Sequence, residues 1–317
     1  MNIFVTGACG YKGTVLIPKL LSMGHKVTGF DIMWFGNFLE PHENLSIIQG
    51  DIRQPDSYSL YGVDCVIHLA SIANDPCGDL DPLGTWETSC LATERLADKA
   101  CRDGVKQFIY ASSASVYGLK DEDQITEDLS LVPISVYNQT KMVSERVLQS
   151  YKDEMIIQII RPATVCGLSP RMRLDVVVNL LTMQALSRGK ITVLGGSQLR
   201  PNIHIQDITD VYCFMLERPN ITGIYNAGNE NMSVLRIAEI IADRTGASLE
   251  VRESNDPRSY RLNSDKLKNA GFTPKFTIEN AINEIIEAYN TKKLYDEERC
   301  YNVNWMRGLL KQQTSRL

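Results

Sequence analysis

Short apolar runs along the first half of the chain each stop at a glycine, an acid, a serine or a proline, and this recurrence constrains the fold more than any composition figure. Residues 1–6 (MNIFVT) break into Gly7, residues 26–30 close on Asp31, and residues 45–49 end at Gly50-Asp51. Residues 65–70 and 107–111 continue the series, the latter running into Ser112 and Ser113, and residues 156–161 end at Pro162. Between the runs, residues 14–23 carry apolar positions at helical spacing and stop at Gly24, and residues 88–102 also read as helix. Continuous apolar strands are buried on both faces, and strands alternating with helices predict a parallel sheet covered on each side. The expected class is therefore α/β, with a doubly wound parallel sheet.

Beyond Pro162 the rhythm changes. Residues 174–187 read as helix, 191–194 as strand, and 203–217 and 224–227 as a return to the sheet. Residues 234–245 and 278–289 are amphipathic helices flanking a loop that contains proline and arginine. The pattern predicts a nucleotide-binding domain at 1–165 with returning segments at about 203–228. Residues 166–202 and 229–294 then form a smaller, discontinuous α/β lobe. Residues 295–317 are left as a C-terminal tail with one helix expected at 305–312.

The net charge of -5 advertises no basic face for nucleic acid. Eight scattered cysteines without a C-x-x-C pair, and four histidines without ligand spacing, give no metal site and fit reduced thiols. No apolar run approaches ~18 residues, so no membrane span is expected and a cytoplasmic location is the default.

Gly7-Ala-Cys-Gly10-Tyr11-Lys12-Gly13 lies between the first strand and the first helix. Glycines there let the backbone turn tightly and approach a pyrophosphate at the helix N-terminus. Asp31 ends the second strand, where a carboxylate accepts both ribose hydroxyls of adenosine and repels a 2′-phosphate, which favours NAD over NADP. Asp51-Ile52 follows the third strand and is placed to cap the adenine. Ser112, Ser113 and Ser115 stand at the carboxyl edge of the strand at 107–111 and point into the ligand crevice. Tyr137 and Lys141 are four apart on a predicted helix and share one face, so the ammonium is expected to draw the phenol from about 10 towards neutrality. Tyr289 and Lys293 repeat the spacing, but they lack an upstream serine strand and lie outside the cofactor lobe.

The ordered series TGACGYKG, FDI, GDI, HLA, SSASVYG, YNQTK and RPATVCG resembles the extended short-chain dehydrogenase/reductases of the NAD-dependent nucleotide-sugar epimerase/dehydratase family, from Met1 to about Tyr289. The resemblance implies a Rossmann-type sheet and NAD as cofactor. Gly7, Gly10 and Gly13 would bind the pyrophosphate, Asp31 the adenosine ribose, and Asp51 and Ile52 would flank the adenine, with Tyr11, Lys12 and Ile32 also in contact with the cofactor. Leu69, Ala70, Ser71 and Pro162 would run along the cofactor towards the nicotinamide. Ser113 would be the catalytic hydroxyl, Tyr137 the base or acid, and Lys141 its partner on the nicotinamide ribose. In the second lobe Thr164, Asn179, Arg200 and Arg258 would meet a nucleotide-diphosphate sugar, Asn179 at the diphosphate. The stretch from Ser169 to Asp175, with Arg171 and Arg173, resembles that of members acting on GDP- or UDP-linked sugars. A homodimer is also implied, built on the helices at about 88 and at Tyr137.

The shared first step takes a proton from a sugar hydroxyl while hydride passes to NAD. The family's 4,6-dehydratases follow the catalytic hydroxyl with an Asp-Glu pair, and here those positions are Ala114 and Ser115. Members that epimerise at C3 and C5 use a cysteine near this strand end. Ser115 stands where it is expected, and Cys166, the nearby thiol, reads as a packing residue. A C4 epimerase and a 4-dehydrogenase or 4-ketoreductase remain. Thr164 and Asn202 replace the asparagine and the aromatic common in simple hexose 4-epimerases. A catalytically silent NAD-binding regulator is a third reading, against which the complete Ser113/Tyr137/Lys141 set speaks.

Overall fold

The first strand is apolar from Ile3 to Val5 and buried at every position after its opening residue, and in the computed structural model it lies mid-sheet, where such a strand is buried on both faces. The structure describes residues 1–253 and 259–314. The strands are β1 (Asn2–Thr6), β2 (Lys26–Asp31), β3 (Leu45–Gln49), β4 (Cys65–His68), β5 (Gln107–Ala111) and β6 (Ile156–Pro162). Then come β7 (Thr164–Cys166), β8 (Lys190–Leu194), β9 (Leu199–His204), β10 (Gly223–Ala227), β11 (Glu230–Ser233) and β12 (Ser248–Arg252). Seven of them form one sheet in the order β3-β2-β1-β4-β5-β6-β10. Every pairing in it is parallel, so all its strands end on one edge. The order reverses between β1 and β4, the place where an open α/β sheet forms a ligand crevice.

Helices cover both faces. One apolar core joins β1 to the helices Gly13–Ser22 and Ile205–Leu216, and a second packs Phe4, Phe30, Phe108 and Tyr110 beneath the helix Ala92–Arg102. A three-stranded sheet, β11-β9-β7, and the pair β12-β8 stand over the strand ends, with a third core between the helices Val177–Arg188, Val234–Thr245 and Ile278–Asn290.

Three details differ from the expected elements. Residues 203–217 do not return to the sheet: Ile205–Leu216 is a helix packed into the core beside β1, the strand before it belongs to the small sheet, and only β10 rejoins the large one. The helix expected at 88–102 begins with a wider π-type turn at Glu87–Leu91, which brings the Ser89 hydroxyl to 2.9 Å from that of Ser71 at the crevice. The C-terminal helix spans Asn302–Thr314 and packs on the crevice instead of trailing from it: Met306 is buried beside Ile72 and Cys77, and Trp305 donates through Nε1 to the Trp34 carbonyl at 2.6 Å.

Candidate active site

A single cleft at the carboxyl edge of the large sheet gathers almost every residue singled out above. Gly7, Gly10, Tyr11, Lys12, Gly13, Asp31, Ile32, Asp51, Ile52, Leu69, Ala70 and Ser71 line one end. Ser113, Tyr137, Lys141, Pro162, Thr164 and Arg200 line the other. Arg258 lies outside the described residues.

The glycine turn is sterically obligatory. Gly7 has φ +69, and a Cβ there would stand 2.7 Å from the Ala70 nitrogen; a Cβ on Gly13 would stand 2.3 Å from the Ala8 carbonyl oxygen. The helix Gly13–Ser22 thus starts directly against the turn, with its backbone bare on the cleft side, as a bound pyrophosphate requires. Asp31 is fixed at the end of β2 by two backbone donors, Cys9 at 2.9 Å and Met33 at 2.7 Å, one on each oxygen. Each oxygen keeps a lone pair for a ribose hydroxyl. Burial holds this carboxyl above its ordinary value, with the two N–H bonds opposing. Asp51 is gripped by Arg53, whose Nη2 lies 2.6 Å from Oδ2. These residues fit a dinucleotide.

At the other end, Ser135 caps the helix Val136–Gln149 by accepting from Asn138 N at 3.1 Å, which sets Tyr137 in the first turn. Ser135 also donates to Asp75 at 2.7 Å, and Gly78 leaves room for the Tyr137 backbone, a Cβ on it meeting Tyr137 Cβ at 3.0 Å. The Ser113 hydroxyl faces the Tyr137 phenol and opposes the effect of burial on it. It lies 2.6 Å from that of Ser115, which donates in turn to Asn138. Lys141 places Nζ 5.9 Å from the centre of the Tyr137 ring and donates to the Ala111 carbonyl at 2.7 Å.

The electrostatics correct one expectation. Tyr137 is not drawn towards neutrality: burial pushes it up to about 12, with Ser113 opposing the rise, Asp75 adding to it and Arg173 opposing it. Lys141 is itself held well below the ordinary ammonium value by burial and by the charge of Lys12. The pairing is in place, but desolvation outweighs it.

Asn179 also departs from expectation. It does not line the cleft; it is fully buried, accepts from Gly167 N at 3.0 Å, and donates to the Tyr11 hydroxyl at 3.1 Å and the Arg173 carbonyl at 2.8 Å. Both ends of its amide are spent joining the 167–173 loop to the glycine turn. Asn202 is likewise buried, donating to the Arg200 carbonyl at 2.8 Å. Cys166 is a packed thiol with no exposure.

The sequence reading did not assign Asp75, Asn138, Trp34, Phe35, Tyr260, Asn302 or Met306, all of which line or support the cleft. Asn74-Asp75-Pro carries a readable signal as a helix start, since Asn74 accepts from Cys77 N at 2.9 Å. A polar junction closes the cleft's outer wall around Asp175. That carboxylate accepts from Arg173 Nε at 2.9 Å, Asn74 Nδ2 at 3.2 Å and the Asn302 backbone at 3.2 Å. Asn302 in turn accepts from Arg171 Nη2 at 2.6 Å, and the Arg171 guanidinium stacks 3.8 Å from the Phe35 ring centre. Arg171 Nε and Arg173 Nη2 are buried donors without a protein partner, a state that suits anionic ligands.

A glycine turn under a parallel sheet, an acid at the end of the second strand and a Ser-Tyr-Lys set together define a Rossmann-type enzyme of nicotinamide-linked hydride transfer. The sequence profile of the NAD dependent epimerase/dehydratase family matches residues 3–228, and the chain belongs to that family, with NAD as its cofactor. It is 32% identical over 268 residues to a Bacillus subtilis protein described as an uncharacterized UDP-glucose epimerase, YtcB, covering 78% of this chain and 83% of that one. It is 26% identical over 308 residues to the UDP-glucose 4-epimerase of Halalkalibacterium halodurans, covering 87% and 91%. Among solved structures, the UDP-glucuronic acid 4-epimerase of Bacillus cereus in complex with UDP-glucuronic acid and NAD superposes with a TM-score of 0.79 at 26% identity, covering 91% of this chain and 100% of that one. Among the described residues no helix is long and apolar enough to cross a membrane, and no group of His, Cys, Asp and Glu could hold a metal ion.

Proposed function

We propose that the chain is a nucleotide-diphosphate-sugar C4 epimerase working through a transient 4-keto sugar. The observation that carries this reading is the hydroxyl chain Ser113–Ser115–Asn138 beside Tyr137 in a cleft with Ala114 buried behind it. It provides proton transfer at one oxygen and no acid at the position from which dehydratases expel water. Tyr137 accepts the sugar hydroxyl proton at its phenolic oxygen, Ser113 holds that oxygen, and Lys141 supplies positive charge beside the ring. Bound NAD supplies the hydride acceptor. Tyr137 then returns the proton once the keto sugar has presented its other face. Arg171, Arg173 and Arg200 are assigned to the anionic part of the sugar nucleotide. The names of the two curated relatives support epimerisation over net oxidation. Leu83 and Leu91, exposed beside the Tyr137 helix layer, support the implied homodimer.

The purified protein should interconvert a nucleotide sugar and its C4 epimer without added NAD, as followed by anion-exchange chromatography of the sugars. Stoichiometric build-up of NADH with oxidised sugar would instead establish the 4-dehydrogenase. At the adenosine end, Asp31→Asn should weaken NAD binding by about tenfold, the size of one charge-assisted hydrogen bond. Calorimetry reads this directly, and an unchanged affinity removes Asp31 from the site.

A further inference from the structure

Asn138 follows Tyr137 in the helix Val136–Gln149 and is only 1% exposed, yet it lines the cleft. Its backbone is tied by the Ser135 cap, and its side-chain oxygen accepts from the Ser115 hydroxyl. Among the described residues no group accepts from its Nδ2, so the carboxamide is held at one end only. A carboxamide oxygen can only accept, so the single Ser115 hydrogen goes to Asn138. The 2.6 Å contact between Ser113 and Ser115 is then made by the Ser113 hydrogen. Ser113 also accepts from Ser115 N at 3.2 Å, which leaves it one lone pair and no donor for the cleft.

Holding the reacting oxygen takes the opposite polarity. A sugar oxygen that gives its own proton to Tyr137 becomes negative, and a neighbour that holds it has to donate. We propose that Asn138 is a positioning residue that sets, through Ser115, which way Ser113 points its hydrogen. Turning the carboxamide brings Nδ2 to Ser115; Ser115 then donates to Ser113, and Ser113 donates to the reacting oxygen. Each hydroxyl turns about its own C–O bond, so no proton leaves its oxygen and no covalent bond changes. Ser113 keeps the bond from Ser115 N in both arrangements, so its oxygen stays in place. An amide, with an acceptor at one end and a donor at the other, serves both arrangements, whereas a carboxylate serves only the first. The inference rests on Ser113, which lines the cleft with Tyr137, as the hydroxyl that holds the reacting oxygen.

Asn138→Asp offers Ser115 only acceptors and should hold Ser113 in the first arrangement. It should lower kcat by about a hundredfold with KM little changed, the size of one lost donor to a developing oxyanion. In a Ser115→Ala parent the connection is cut, and the same substitution should cost no more than about threefold relative to that parent. A charge acting directly on Tyr137 would cost as much in both parents, and equal losses overturn the proposal. The rates are read as epimer formed or as NADH formed, so a 4-dehydrogenase gives the same comparison. Neutron diffraction of the deuterated wild-type protein without sugar nucleotide needs neither turnover nor a variant. Deuterons should lie on the lines from Ser113 to Ser115 and from Ser115 to Asn138. A deuteron pointing from Asn138 Nδ2 to Ser115 overturns the proposal, whether or not the chain epimerises a sugar.

Discussion

Tyr137→Phe should yield a folded protein that still binds NAD and turns over its sugar nucleotide about a thousandfold more slowly, the usual contribution of a positioned acid–base group. The substitution removes one oxygen and leaves the ring between Gly78 and Lys141. Full activity in this variant would remove Tyr137 from the chemistry. The same pair of proteins tests the electrostatics. Burial raises the phenol from 10.0 to about 12, so the folded chain favours its neutral form. The sign follows: this group's contribution to stability is complete below pH 10 and disappears as pH rises towards about 12. A difference ultraviolet titration of wild type against Tyr137→Phe should show no phenolate near neutrality without ligands. An ionised Tyr137 in the empty protein would contradict the burial described above.

Glu145→Ala should be the most destabilising single change near the site, costing about 3–5 kcal/mol. Glu145 and Arg161 are 2% and 3% exposed and meet in a two-pronged pair, Nη2–Oε2 at 2.6 Å and Nε–Oε1 at 2.9 Å. Ser112 donates to the same carboxylate, and Arg161 also donates to the Tyr117 hydroxyl at 2.7 Å, which donates onward to Asn226 at 2.8 Å. The network therefore binds β5, β6, β10 and the Tyr137 helix together behind the reacting groups. Removing the carboxylate strands a buried guanidinium, whereas Glu145→Leu combined with Arg161→Leu removes both charges and should recover part of the loss. Denaturant midpoints at equal slope measure this, and a loss below about 1 kcal/mol for Glu145→Ala would refute the network's role.

The parts of the site visible in the sequence are those set by local chemistry. A glycine turn after a strand, an acid at the next strand end, and a tyrosine one helical turn from a lysine each declare themselves within a few residues. What stayed hidden depends on contacts between distant positions. Asp75 reaches the Tyr137 helix through Ser135, 60 residues away, and Asn302 reaches Arg171 across 131. Trp305 meets Trp34 across 271. No local spacing encodes such meetings, so the last segment looked like a tail. Asn179 shows the converse: its position was legible, but its amide is consumed by Tyr11, Gly167 and Arg173. The expected fall of the Tyr137 pKa failed for a related reason, since burial has no signature in a four-residue spacing.

The Asp175 junction has a kinetic meaning. One carboxylate joins three stretches of chain, and the helix Asn302–Thr314 is held over the cleft by it, by Trp34 and by a few apolar side chains. Trp305→Ala, which removes the bond to the Trp34 carbonyl, should therefore speed the dissociation of a bound dinucleotide, as read by stopped-flow fluorescence.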